Sequence, residues 1–284
     1  EIHERLVGSE MCIRDRYFFD DQSNQRVLYN TFDVTSLVQK AENTVGVLLG
    51  NGWYNQRDRT VEGCMWYDTP RLLCQLEIEY TDGSTELVVT DDSWKTTTGP
   101  LLHDAIFTGE EYDARLELDG WNRNGYKDSS WKKALLVRAP KGSLHAQLAP
   151  HEKIAWTLQP VSCEQKDDST YWYAFPEMIS GWAHIKVQGN AGDRIKLRFV
   201  GEEKNDFGQV DLYTLRGSGV EQWEPRFTWH TFRYIEVISR QVRMNKESLI
   251  AKVVHTDPQP AGSFSCSNEL FNKINEVYLR TQKN

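Results

Sequence analysis

Leu76-Glu-Ile-Glu-Tyr80, then Thr81-Asp-Gly-Ser84, then Glu86-Leu-Val-Val-Thr90 decides the fold class of this chain. Apolar and polar residues alternate on both sides of a turn, which is the period of strands with one face turned inward. Asp82-Gly83 supplies the positive φ that a tight reversal requires, so the stretch is expected to be a β-hairpin. Short alternating runs broken by turn residues continue from Tyr17 onward, and the whole reads as antiparallel all-β. Trp182-Ala-His-Ile-Lys-Val187 and Arg194-Ile-Lys-Leu-Arg-Phe199 alternate in the same way about the turn-rich Gln188-Gly-Asn-Ala-Gly-Asp193, so a second hairpin is expected there. Phe232-Arg-Tyr-Ile-Glu-Val-Ile238 is a further candidate strand.

Two pieces, Asp91-Asp-Ser-Trp94-Lys and Lys127-Asp-Ser-Ser-Trp131-Lys, each set an Asp/Ser turn before a tryptophan, the pattern of a loop pinned to a sheet by a large apolar anchor. Around Ala139–Pro150, prolines, a glycine and short polar residues mark a domain boundary. Near the end the period changes. Ser267 and Asn268 can cap a helix in which Leu270, Phe271, Ile274, Val277 and Tyr278 share one face. Such a stripe needs a partner, expected from sequence following Asn284, with docking on the second β-region as the alternative. Glu1–Arg16 has no clean period or caps, lacks the apolar centre of a signal peptide, and is similar to translated adapter read-through, so it is read as a non-native segment outside the fold.

With 284 residues the chain is long enough for two β-domains with separate cores. Lys and Arg number 33 against 41 Asp and Glu, for a net charge of −8, which leaves no broad basic surface for nucleic acid. No apolar run approaches the ~18–20 residues of a membrane span. The cysteines, Cys12, Cys64, Cys74, Cys163 and Cys266, include no CxxC pair. They read as idle thiols, with Cys64 and Cys74 alone near enough in sequence to suggest a local bridge.

The adjacent acid pairs Glu110-Glu111, Asp167-Asp168 and Glu202-Glu203 make poor two-carboxylate sites, because neighbours on a strand point to opposite faces. Each reads as a solvated charged loop. Glu202, Glu203, Asn205, Asp206 and Asp211 could gather around calcium, but their spacing matches no EF-hand and no metal or other cofactor is assigned. His103, His145, His151, His184, His230 and His255 are scattered, with no H-E-x-x-H pair, and no serine lies in a G-x-S-x-G turn. Aromatic residues make up 12% of the chain, with ten tryptophans. Gly50-Asn51-Gly52-Trp53-Tyr54 combines the stacking and hydrogen-bonding residues that sugars need, so Asn51, Trp53 and Tyr54 are candidates for facing either substrate or a domain interface. Trp223 and Trp229 are placed in a core or at its rim.

Tyr29-Asn-Thr-Phe-Asp33-Val-Thr35, followed by Asn43-Thr-Val-Gly-Val-Leu-Leu-Gly-Asn51-Gly52-Trp53-Tyr54, resembles the opening of bacterial α-L-rhamnosidases of glycoside hydrolase family 78. The resemblance continues through Gly109-Glu-Glu-Tyr112-Asp113-Ala-Arg115, Gly120-Trp121 and Gly125-Tyr-Lys-Asp128-Ser-Ser-Trp131. It is carried on by Gly181-Trp182, Gly189-Asn-Ala-Gly192 and the long run from Glu221 through Trp223-Glu-Pro225-Arg-Phe-Thr228-Trp-His230-Thr-Phe-Arg233-Tyr234, similar to the family's concanavalin-like module. Gly262-Ser-Phe264-Ser-Cys266-Ser-Asn268 is similar to the entry into its (α/α)6 catalytic barrel. Ala174-Phe-Pro-Glu-Met178 departs from the family's D-F-G-Q-N, so no site is carried over there.

The resemblance implies two antiparallel β-sandwich domains, jelly-roll or concanavalin-like, at residues 17–150 and 151–257, with 258–284 beginning the helical barrel. It implies hydrolysis of terminal α-L-rhamnosyl groups with inversion, by one carboxylic acid and one carboxylate ~6.5–9.5 Å apart. No residue up to Asn284 inherits those catalytic roles, so the chain is expected to be inactive alone and to meet rhamnose-containing glycans through a full-length enzyme with a C-terminal catalytic domain. The competing reading is a stand-alone carbohydrate-binding module. Localisation is left open.

Overall fold

The computed structural model describes residues 26–40, 42–52, 55–56, 65–66, 69–139, 142–148, 150, 152–202, 206–256 and 260–283. The segment 1–16, Trp53, Tyr54 and Cys64 lie outside them. In chain order the strands are β1 (Arg26–Tyr29), β2 (Asn55–Gln56), β3 (Met65–Trp66), β4 (Gln75–Glu79), β5 (Thr85–Val89), β6 (Lys95–Thr96), β7 (Leu101–Ala105), β8 (Gly109–Asp113), β9 (Lys132–Lys133) and β10 (Ser143–Ala146). They continue as β11 (Glu152–Leu158), β12 (Ser162–Gln165), β13 (Thr170–Gln188), β14 (Arg194–Val200), β15 (Asp206–Thr214), β16 (Val220–Trp223), β17 (His230–Ile238) and β18 (Leu249–Thr256), and the helix α1 (Glu269–Lys283) follows. No described helix is long and apolar enough to cross a membrane.

Two units emerge. The first comprises residues 1–104 and 116–147, the second 105–115 and 148–284. In the first, the described strands form two-stranded pairs: β1 with β10, β2 with β3, β4 with β5 and β6 with β9. The expected hairpin is present, with Leu76 opposite Val88 and Glu79 opposite Thr85. Gly83 stands at φ +83°, and the Asp82 carboxylate accepts the Ser84 N–H at 2.9 Å, so the turn follows from the residues read in it.

Both Asp/Ser turns are also present. The Ser93 N–H donates to Asp91 Oδ1 at 2.8 Å, and the Trp131 N–H donates to the Asp128 carbonyl at 3.0 Å. The two pieces pair with each other through Lys95 opposite Lys133, and the Lys95 ammonium meets Asp128 at 2.7 Å. Trp131 stacks on Trp121 at 6.4 Å and takes Tyr126 edge-on at 5.7 Å.

The second unit is built on one large sheet, in the order β11-β18-β13-β17-β14-β15-β8, with β12 and β16 also pairing β13. The 19 residues of β13 are long enough to serve several neighbours along their length, and its register with β17 slips between Ala174 and Ile179. A bulge of this kind bends a strand and raises its twist, which curls the sheet. The Ala174–Met178 segment that departs from the family pattern coincides with the slip. Alternate residues of β13 and β14, among them Tyr173, Ile185, Ile195, Leu197 and Phe199, are 0% exposed and form the core with Phe232, Ile235 and Val237 of β17.

The second expected hairpin does not form. The two runs are strands β13 and β14, but β17 lies between them in the sheet. A turn signal locates where the chain reverses and leaves the neighbour open; here the apolar face of Phe232–Ile238 fills the position between them. Cys74, Cys163 and Cys266 are free thiols, and the bridge suggested for Cys64 and Cys74 falls on Cys64, outside the described residues.

The helix begins as read. The Asn268 side chain accepts the Leu270 N–H at 3.0 Å. Its apolar stripe stays open, with Leu270 64%, Phe271 54%, Ile274 54%, Val277 56% and Tyr278 60% exposed.

Candidate functional site

Asn51 is half-buried in the first unit. Its backbone N–H donates to Asp104 Oδ1 at 2.6 Å, and its amide donates to the Asp104 carbonyl at 2.9 Å and to Oδ2 at 3.2 Å. Its own amide oxygen accepts Asn55 Nδ2 at 2.6 Å. Asp104 is 6% exposed, and this burial pushes its carboxyl above the usual range, partly offset by the Asn51 N–H and the charge of His103. Asn51 is therefore a clasp that fixes the two ends of the segment containing Trp53 and Tyr54, whose own placement is outside the described residues.

Two segments singled out by their motifs meet in the second unit. The pair Glu110-Glu111, expected as a solvated loop, lies on strand β8 and is divided by the pleat. Glu111 faces outward to Arg194 at 3.0 Å, whereas Glu110 is 1% exposed. Glu110 Oε2 accepts the backbone N–H groups of Arg226 at 2.7 Å and Phe227 at 2.9 Å, tying Gly109–Arg115 to the Glu221–Tyr234 run. Three elements converge on Asp211, which is 0% exposed: the Glu110 N–H at 2.9 Å, Thr228 Oγ1 at 3.4 Å and His230 Nε2 at 3.0 and 3.1 Å from the two carboxylate oxygens. The His230 ring, 1% exposed, stacks on Phe199 at 3.8 Å, and its Nδ1 finds no hydrogen-bond partner among the described residues.

Gly109 makes the approach feasible. It stands at φ +111°, and a Cβ there would lie 2.0 Å from the Val210 carbonyl oxygen. Below it Tyr112, Tyr213 and Trp223 pack with centroids 5.1–6.1 Å apart. Glu221 closes the far side. Burial alone would raise its carboxyl, but the Tyr213 hydroxyl and the N–H groups of Arg216, Gly217 and Ser218 outweigh that and hold it below the ordinary range.

These acids are sealed by protein donors, and a catalytic carboxylate must reach a glycosidic oxygen or a water. Their arrangement holds strands together. Of the residues weighed for calcium, Asp211 serves His230 and Glu202 pairs with Arg233, while Glu203 and Asn205 lie outside the described residues. Among the described residues there is no group of three or more His, Cys, Asp or Glu able to hold a metal ion. Sequence reading missed Glu110 and Asp211 as buried groups. The signal was present in the period of two, which sets Glu110 on the face of Tyr112 and Ala114, and Asp211 on that of Tyr213.

Comparison with known proteins gives two family matches: the α-L-rhamnosidase N-terminal domain over residues 21–155 and the bacterial α-L-rhamnosidase concanavalin-like domain over residues 164–255. An α-L-rhamnosidase of Formosa agariphila is 30% identical over 274 residues, covering 89% of this chain and 29% of that protein. The structure of an α-L-rhamnosidase from Dictyoglumus thermophilum superposes with a TM-score of 0.79 at 38% identity, over 89% of this chain and 29% of its own. A Streptomyces avermitilis α-L-rhamnosidase complexed with L-rhamnose gives a TM-score of 0.76 at 29% identity, over 89% and 26%. The chain thus spans between a quarter and a third of the length of these relatives.

Proposed function

We propose that this chain, which belongs to the bacterial α-L-rhamnosidase family through its N-terminal and concanavalin-like domains, supplies the accessory β-part of an enzyme that hydrolyses terminal α-L-rhamnosyl groups. In this reading residues 17–150 and 151–257 are two β-sandwich domains and 258–284 lead into a helical catalytic barrel. The paired carboxylates of an inverting mechanism, one protonating the leaving oxygen and one activating water, lie outside residues 1–284. Asn51 anchors the segment through which Trp53 and Tyr54 would meet substrate or the catalytic domain. The observation that carries the reading is the fate of the motif acids: Glu110 and Asp211 are consumed in a solvent-free clasp, so the most characteristic segments serve architecture. The open stripe on α1 is the face the barrel would cover.

The test is hydrolysis of an aryl α-L-rhamnopyranoside. The purified 284-residue chain is expected to release no aryl alcohol above the buffer rate, and a protein extended with the following coding sequence is expected to release it. Turnover by the 284 residues themselves would overturn the assignment.

A further inference from the structure

We propose that the groove between α1 and the sheet of the second unit is a saccharide site that takes one pyranose ring of the 6-deoxyhexose class. The choice of 6-deoxyhexose rests on the proposed function, whereas the site itself does not. The groove encloses about 470 Å³, within the ~300–1,000 Å³ of small-molecule sites. Its floor is apolar, from Ile179 and Val253, each 3% exposed. Ser180 and Thr231, register partners on β13 and β17, contribute hydroxyls beside that floor.

A sugar ring needs an aromatic platform for its C–H face and fixed polar groups for its hydroxyls. Trp156 lines the groove and keeps 39% of its surface exposed, and His255 packs edge-on against it at 5.5 Å and 61°, which sets the plane of the indole. On the helix side Arg280 donates to Glu177 Oε2 at 2.5 Å and to the Met178 carbonyl at 3.1 Å. A guanidinium has five N–H donors, so those two bonds hold it at the rim with donors left for a ligand. Leu279, 49% exposed on the helix side, offers the methyl group of a 6-deoxy sugar an apolar contact.

The experiment titrates the 284-residue chain with methyl α-L-rhamnopyranoside and, separately, methyl β-D-glucopyranoside, following the Trp156 indole N–H resonance assigned by its loss in Trp156→Phe. The rhamnoside is expected to shift that resonance with saturation at ~millimolar concentration, as for a single small ring. Trp156→Ala, read by saturation-transfer NMR, is expected to weaken binding about tenfold. Thr231→Val, which leaves the indole and its stacking in place, is expected to weaken it about threefold. No shift with either sugar, or unchanged affinity in both variants, overturns the site. Equal binding of the glucoside overturns the 6-deoxyhexose assignment. Loss of the response in the longer enzyme, through burial of Trp156 against further protein, overturns it as a site of the intact molecule. No hydrolysis is read, so failure here leaves the enzymatic assignment standing.

Discussion

The two units carry the same alternating pattern and cover it in opposite ways. In the second, Tyr173, Leu197, Phe199, Phe232 and Ile235 are wholly enclosed, and even the carboxylates of Glu110 and Asp211 are drawn inside and bonded to protein donors. In the first, no large hydrophobic side chain among the described residues is buried; Leu87 is 57% exposed and Leu102 53%. Its order comes from short ladders, Asp/Ser turns and stacked indoles. Alternation states which face of a strand seeks cover. It does not state how much cover that face receives.

The largest expected contrast is between equivalent truncations. Leu197→Ala removes a fully buried side chain and should cost about 2–5 kcal/mol, while Leu87→Ala should stay within about 0.5 kcal/mol. Urea unfolding of both variants measures this, and equal losses would break the comparison. Next comes Glu110→Ala, which leaves the N–H groups of Arg226 and Phe227 unpaired in a buried site and should cost about 1–3 kcal/mol by the same measurement.

A smaller effect separates the units by sign. The Glu221 carboxyl is held low, so its contribution is complete above its unfolded pKa and is lost as pH falls through the folded value. Asp104 is raised by burial, so its contribution is complete below its unfolded pKa and fades as pH rises through the folded value. Acidification should therefore relieve the buried charge of Asp104 and take from the Glu221 loop its ionised acceptor, two effects of opposite sign. Carboxyl carbon NMR shifts followed against pH check the directions: Asp104 should titrate above the ordinary aspartate range and Glu221 below the ordinary glutamate range.

Much of this fold was legible because local rules suffice for local features. The Asp82-Gly83 turn, both Asp/Ser turns and the Asn268 cap follow from residues within a few positions of one another. The insertion of β17 between β13 and β14 was not legible, since it depends on partners distant in sequence, such as Thr170 with Ile238 and Lys196 with Ile238. The Glu110–Asp211–His230 clasp was half legible. Its alternation was visible, but Glu110 stands 101 positions from Asp211 and joins it only once β8 pairs in parallel with β15. Asn51 stood out by composition, yet its anchor Asp104 carried no mark in the sequence.

The central claim is that Ala105–Arg115, enclosed in sequence by the first unit, is held by the second through the Glu110 clasp. Hydrogen–deuterium exchange tests this most directly. The amides of residues 109–113 should exchange as slowly as those of β14 and β17, and far more slowly than β4 and β5. Exchange of 109–113 at the rate of β4 and β5, with β14 and β17 still protected, would contradict it.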